Sequence, residues 1–394
     1  MKTTRQPPFT GSATTLPTTA GTAVGSSEKT ESQETVLAPP DEQPQVLKIE
    51  EAPARQLGFA IVGLGKLALE EVMPAFGECK LAKPVALVSG HREKAVKVAH
   101  AHHIPESSIY NYENFDRIAD DPSIDVVYII LPNSMHAEFT IRALKAGKHV
   151  LCEKPMAVSV EEGQSMARAG REAGKKLGIA YRLHYEPLNM QVMKWCREKK
   201  FGKIKSFVSS NCQIVEAPNI RLSRELGGGP VSDTGIYSIN AARYCIGEEP
   251  IAVTAVACFP DDDPRFREVP ESVSFILTYP SGVIATCDTS FGTIEGRRYR
   301  VQCDNGYIEM DPSFSYRGLK LKTKALLEGD ESSEVSEINL RQKNHFAEQM
   351  DGFCKAIIND TEVVTPASMG IADLRIIAAI RESYESGKPV KIDS

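Results

Sequence analysis

An α/β fold built on a doubly wound parallel sheet is the expectation for this 394-residue chain, and three features carry it. The apolar run 59–62 ends in Gly63-Leu64-Gly65-Lys66-Leu67-Ala68, a G-x-G-x-x-A turn between a strand and a helix. Short apolar runs and helical stretches then alternate as far as residue 181. One run, 126–131, is apolar without interruption, as a parallel strand covered on both faces requires.

In order, the strands expected are 59–62, 85–88, 126–131, 149–152 and 178–181, with helices at 67–77, 92–102, 136–146 and 161–176. Gly147 stops the third helix. Beyond residue 182, strand-like runs fall at 203–215, 251–258, 271–279, 283–290 and 298–303, and helices at 344–358 and 370–385. The domains expected are therefore a dinucleotide-binding part over 58–181 and a substrate and oligomerisation part over 182–394. Residues 1–57 differ: ten Thr, seven Pro, four Ser and three Gly accompany a single aromatic, Phe9. Such a stretch buries too little surface to offset its ordering entropy and reads as a disordered or extended arm.

Composition narrows the class. Hydrophobic residues at 42% and charged residues at 25% are those of a globular protein, not a fibre or a disordered chain. No run approaches the roughly 18 apolar residues of a spanning helix, so no membrane association is expected. A net charge of −6 argues against a nucleic-acid partner. The nine cysteines are scattered, without a C-x-x-C pair, and read as buried thiols in a reducing compartment with no metal site. The location expected is cytoplasmic, or periplasmic if an export signal lies outside this sequence.

In the turn at 63–68, the first glycine permits the tight bend and the second lets the backbone approach a pyrophosphate. Leu64, Lys66 and Leu67 are then cofactor contacts as well. The second strand ends in Ser89-Gly90-His91-Arg92-Glu93-Lys94, with no carboxylate at the tip. A hydroxyl with Arg92 and Lys94 suits a ribose 2′-phosphate, which favours NADP over NAD.

Three segments can carry chemistry. Cys152-Glu153-Lys154-Pro155 follows the strand at 149–152, at the ligand-binding edge of an open α/β sheet. Gly227-Gly228-Gly229-Pro230-Val231-Ser232-Asp233-Thr234-Gly235-Ile236-Tyr237 combines a pliable loop with a helix opened by Pro230, placing Asp233 and Tyr237 on one face. A Tyr near a Lys is a proton relay, because an ammonium favours an ionised phenol. Tyr181-Arg182-Leu183-His184-Tyr185 follows the last strand, so Tyr181, Arg182, His184 and Tyr185 could meet a polyhydroxylated ligand; His184 could equally be a satisfied structural histidine.

Four stretches resemble the glucose–fructose oxidoreductase / inositol dehydrogenase (Gfo/Idh/MocA) family: residues 63–68, 129–138, 146–156 and 227–237. The E-K-P motif is the most specific. The likeness spans about 58–390 and is nearest to the glucose–fructose oxidoreductase branch, in residues 87–90, 109–116, 128–134 and 243–250. The resemblance implies an N-terminal Rossmann domain and a C-terminal α/β domain with a large, open, mostly antiparallel sheet, which pairs in many relatives into homodimers or homotetramers. It adds Leu131, Pro132, Asn133, His136, Glu153, Lys154, Arg182 and Arg221 to the cofactor contacts. It implies Tyr237 as acid/base, assisted by Lys154 and Asp233, with the substrate meeting Lys154, Tyr181, His184, Tyr185, Asp233 and Tyr237. The implied activity is NADP-dependent oxidation of an aldose such as glucose at C1 to the lactone. The same bound cofactor would then reduce a second sugar such as fructose. Two departures stand out: no twin-arginine signal precedes the Pro/Thr-rich segment, and Asn219-Ile220-Arg221 lacks the Trp that helps that branch enclose its cofactor. The alternatives are an ordinary NADP-dependent aldose dehydrogenase or reductase with exchangeable cofactor, and a non-catalytic sugar or nucleotide sensor.

Overall fold

A computed structural model describes residues 55–326 and 333–393. The arm expected over 1–57 lies, as far as residue 54, outside the described residues. The first sheet contains β1 (Leu57–Val62), β2 (Ala82–Val88), β3 (Ile109–Tyr110), β4 (Val126–Ile129), β5 (His149–Cys152) and β6 (Leu177–Ile179), in the order β3-β2-β1-β4-β5-β6. Every pairing in it is parallel. The first strand shows why its sequence is apolar throughout. Phe59 and Ile61 pack on one side of the sheet with Met350 and Phe353, whereas Ala60 and Val62 pack on the other with Val127 and Leu144.

The helix expected at 67–77 is not a regular one. Ala68–Val72 is a wide π-type turn, Met73–Ala75 (α1) is α-helical and Phe76–Glu78 is a 3-10 turn. Pro74 explains the irregularity, since it has no N–H for the carbonyl of Glu70 and its ring crowds that carbonyl. The remaining crossovers carry α2 (Arg92–Ala101), α3 (His136–Lys145) and α4 (Val160–Glu172). Ser159 caps α4 by accepting from the Glu162 amide, and Glu161 and Glu162 lie in its first turn, favourable to the helix dipole.

Next come α5 (Pro187–Arg197), β7 (Ile204–Ile214), α6 (Ile236–Ile246), β8 (Ala252–Cys258), β9 (Ser272–Thr278), β10 (Ile284–Ser290) and β11 (Gly292–Cys303). They are followed by β12 (Gly306–Met310), β13 (Leu321–Leu326), β14 (Ser333–Ile338), α7 (His345–Ile358), α8 (Ala367–Ser386) and β15 (Val390–Lys391). The nine strands form one sheet in the order β14-β13-β12-β11-β7-β10-β9-β8-β15, in which only β7 and β10 pair in parallel. Alternation is clean in β9, where Val273, Phe275 and Leu277 are buried and the residues between them are not. Helix α6 packs on the covered face, and among the described residues nothing covers the opposite face, where Val208 and Ile276 are exposed.

The two late helices return to the first sheet. The Thr365 carbonyl accepts from the Ile179 amide, and Gly178 pairs with Pro366. The Asp351 carboxylate accepts the amides of Lys80 and Leu81, both at 2.8 Å. A Cβ on Gly178 would lie 2.8 Å from the Phe353 ring, so this glycine lets α7 reach the strand. The burial expected of the cysteines is found for Cys152, Cys196, Cys212, Cys245, Cys287 and Cys354; Cys79 and Cys303 are half-buried, and Cys258 is exposed.

Candidate active site

At the turn after β1, Gly63 has φ +95° and a Cβ there would lie 2.2 Å from the carbonyl oxygen of Ile130, so glycine is required. Gly65 has nothing within 4 Å of such a Cβ, because it faces open space. That space is a cavity of about 600 Å³, lined by Gly63, Leu64, Gly65, Lys66 and Leu67 among others. Ser89 and Lys94 also line it. Arg92 does not: it is exposed and turned to Glu106, 3.6 Å away. His91 takes its place in the wall. Gly90 is likewise outside the wall and packs against the ring of Tyr112, which lines the cavity in its stead. Of the strand-tip residues expected to meet the cofactor, Ser89 and Lys94 therefore border the cavity, and Gly90 and Arg92 do not.

Leu131, Pro132 and Asn133 border the same cavity. His136 also borders it, but its ring is fully buried, with Nδ1 2.8 Å from the Pro155 carbonyl and Nε2 2.9 Å from that of Leu131. It joins the loops after β4 and β5 and has no ring nitrogen left for a cofactor.

The E-K-P turn leaves β5 at the carboxyl edge. Glu153 is buried and accepts from the Tyr128 hydroxyl at 2.8 Å, and that hydroxyl in turn receives the Gln349 amide at 3.0 Å. Burial raises the Glu153 pKa despite the nearby Lys154 ammonium. The next side chain points into the cavity. Lys154 Nζ donates to the Asp233 carbonyl at 2.8 Å and to its Oδ1 at 3.3 Å, and lies 4.7 Å from the Tyr237 ring centroid. Burial works to lower the Lys154 pKa, but Tyr237, Asp233 and Glu153 together raise it, so the ammonium is the resting form.

Pro230 opens the helical stretch as expected, through a wide turn at Val231–Gly235 that runs into α6. Asp233 and Tyr237 both face the cavity. The Asp233 Oδ2 accepts from Arg221 Nε at 2.7 Å and Gln213 Nε2 at 3.1 Å. Burial tends to raise its pKa, but Lys154 and Arg221 outweigh this and hold it below the usual value. Arg182 is buried beside them, its guanidinium 5.3 Å from the Tyr237 ring and 4.6 Å from that of Tyr316. It is anchored by the Ser315 and Phe314 carbonyls and by His345 Nδ1.

Three expected substrate contacts lie outside the wall. The Tyr181 hydroxyl donates to Asp373 at 2.5 Å. His184 Nε2 meets the Asn240 side-chain oxygen Oδ1 at 2.8 Å, and burial pushes its pKa down to about 4. Tyr185 packs on Gly352. Of residues 181–185 only Arg182 lines the cavity; Tyr181, His184 and Tyr185 meet Asp373, Asn240 and Gly352, on segments remote in sequence. In their place the wall holds Asn211 and Gln213 from the covered face of β7, Arg297 from β11, and Phe314, Tyr316 and Phe346. The last three aromatics come from segments distant in sequence and carry no local motif; the alternation of β7 was the one available signal for Asn211 and Gln213.

Comparison with known proteins agrees with this fold. Residues 57–181 match the family model described as an oxidoreductase family with an NAD-binding Rossmann fold, and residues 189–309 match the GFO/IDH/MocA C-terminal domain. The D-xylose 1-dehydrogenase [NADP(+)] of Haloarcula marismortui is 31% identical, over 85% of this chain and 93% of its own. A D-xylose 1-dehydrogenase (NADP(+)) of Haloferax volcanii is 29% identical, over 85% and 99%. The solved aldose-aldose oxidoreductase of Caulobacter crescentus, complexed with glycerol, is 42% identical with a TM-score of 0.81, covering 86% of this chain and 100% of that one. With both domain models matched and a glycine turn, an E-K-P lysine and an Asp–Tyr helix around one cavity, the chain belongs to the Gfo/Idh/MocA family of oxidoreductases.

Proposed function

We propose that the chain is an NADP-dependent aldose oxidoreductase that oxidises a cyclic sugar such as glucose at C1 to the lactone. The observation that carries this reading is the Lys154 ammonium held between Asp233 and the Tyr237 ring in the wall of the dinucleotide cavity. The NADP-dependent xylose dehydrogenases and the aldose-aldose oxidoreductase among its relatives support the substrate class.

The residues present fit the cofactor. Gly65 offers bare backbone to the cavity, and the tip of β2 carries a hydroxyl and two basic side chains, Ser89, His91 and Lys94, without a carboxylate. NADP held there would supply the hydride acceptor for the sugar C1. Tyr237 would act as the phenolate, a form the adjacent Lys154 and Arg182 cations favour, and its oxygen would take the C1 hydroxyl proton as C1 gives up its hydride. Lys154 has three N–H donors; two are committed to Asp233 and the third is available to a sugar hydroxyl. Asp233 fixes the lysine. In the reverse direction Tyr237 returns the proton to the carbonyl oxygen of a second sugar such as fructose, which makes an aldose–ketose exchange without cofactor release the natural extension.

The same reading assigns a homodimer or homotetramer through the open sheet face. There Arg300, Val208, Thr286, Ile276 and Thr254 form one row across β11, β7, β10, β9 and β8, and Val208 and Ile276 are exposed.

Mixing the protein with NADP or NAD and a panel of aldoses tests the reading. Reduced-nicotinamide absorbance should rise with NADP and an aldose. Silence with every aldose would transfer the chain to the sensor class.

A further inference from the structure

We infer that Arg221 is a positioning residue for the reaction: it holds Asp233 so that the carboxylate cannot capture all of the Lys154 ammonium. The inference rests on the reading of Lys154 and Tyr237 as the reacting pair.

Arg221 lies in the loop between β7 and α6, where cofactor enclosure was expected of it. The loop is fastened at both ends. The Asn133 side-chain amide donates to the Gly227 carbonyl at 2.9 Å, and Asn219 Oδ1 accepts the Arg221 amide at 3.1 Å. The Gly229 amide donates to the Arg221 carbonyl at 2.9 Å, and a Cβ on Gly228 would lie 2.3 Å from that carbonyl oxygen. Ile220, Leu226 and Gly228 border the cavity, so this loop covers part of it. The Arg221 side chain is directed to the carboxylate, with Nε 2.7 Å from Asp233 Oδ2.

The geometry divides the two carboxylate oxygens. Oδ2 is filled by Arg221 and Gln213, and Oδ1 alone serves Lys154. Lys154 also faces Glu153, Tyr237 and Tyr316. Without Arg221, Oδ2 has only the neutral Gln213 amide. A carboxylate beside an ammonium then gains by presenting both oxygens to it. That draws the third Lys154 N–H away from the cavity and the ammonium away from the Tyr237 ring. The loop that covers the cofactor thereby sets the lysine, so cofactor enclosure and readiness of the reacting pair are coupled.

The test is a double-mutant cycle on the full chain, with NADP and the aldose turned over fastest by the wild type, each variant first shown to unfold cooperatively. Arg221→Gln should lower kcat about tenfold at saturating NADP, with the NADP Kd, measured by calorimetry, raised less than threefold. Arg221→Lys should restore most of the loss. In an Asp233→Asn background, Arg221→Gln should change kcat less than twofold, because its target is gone. Weaker NADP binding with kcat intact would overturn the inference and make Arg221 a cofactor holder only. Equal losses in both backgrounds would overturn it too. Neither result touches the aldose oxidoreductase reading, which stands or falls on wild-type turnover and on Tyr237.

Discussion

The Lys154 ammonium lies 4.7 Å from the centre of the Tyr237 ring and 2.8 Å from the Asp233 carbonyl, so one cation joins the end of β5 to the helical stretch that carries the phenol. The reaction proposed for this contact depends on the cation staying there.

Replacing Lys154 by Met keeps the apolar stem and removes the charge. Turnover should fall by roughly 10²- to 10⁴-fold, the usual contribution of a positioned proton-transfer group. NADP affinity should change far less, because the phosphate-binding turn is untouched. Steady-state kinetics with parallel calorimetry checks this; equal losses in turnover and affinity would contradict it.

Lys94→Glu addresses cofactor choice. Lys94 lines the cavity beside Ser89, and its Nζ is 3.4 Å from the Leu64 carbonyl. A charge-assisted bond contributes about 1.5–3 kcal/mol, so NADP should bind roughly ten- to a hundredfold more weakly. NAD should be affected little. Titration of both cofactors decides it.

Gly63→Ala should damage both folding and cofactor binding. The added methyl meets the Ile130 carbonyl at 2.2 Å in a backbone of φ +95°. Strain of this kind costs about 1–3 kcal/mol before the clash is counted. A lowered melting temperature with lost NADP binding is expected, whereas Gly65→Ala should lose binding with little change in melting.

Acid should destabilise the fold from the neutral side. Burial holds His184 down at about 4, and burial with the Arg182 charge holds His345 down at about 3. An unfolded histidine titrates near 6.5, so below that pH the unfolded chain binds more protons than the native one. Stability is therefore full above about pH 6.5 and falls as pH drops toward 4. Denaturant midpoints at pH 7.5 and 5.5 (values set about one unit either side of that titration) check the sign. A higher midpoint in acid would contradict it.

What the sequence revealed and what it hid follow from distance along the chain. The Gly63 turn, the Lys154 turn and the Asp233–Tyr237 spacing are each set within a dozen residues, so a local reading finds them. Tyr181, His184 and Tyr185 shared the same edge, but they meet Asp373, Asn240 and Gly352, partners remote in sequence that no local reading supplies. Phe314, Tyr316 and Phe346 reach the cavity from remote segments, which no spacing rule covers. Helix α5 carried readable signals, a Glu186 cap and Pro187 in the first turn, just beyond the segment read for ligands. The alternation of Lys322 and Lys324 with buried Leu321 and Thr323 in β13 was likewise legible as a strand with one open face.

The most direct measurement is turnover of Tyr237→Phe beside the wild type, with NADP and an aldose that the wild type oxidises. Loss of turnover by at least about a hundredfold, with NADP binding and melting temperature unchanged, is the result expected of the phenol that moves the C1 proton. Retained turnover would remove Tyr237 from the chemistry and the Lys154–Tyr237 relay with it.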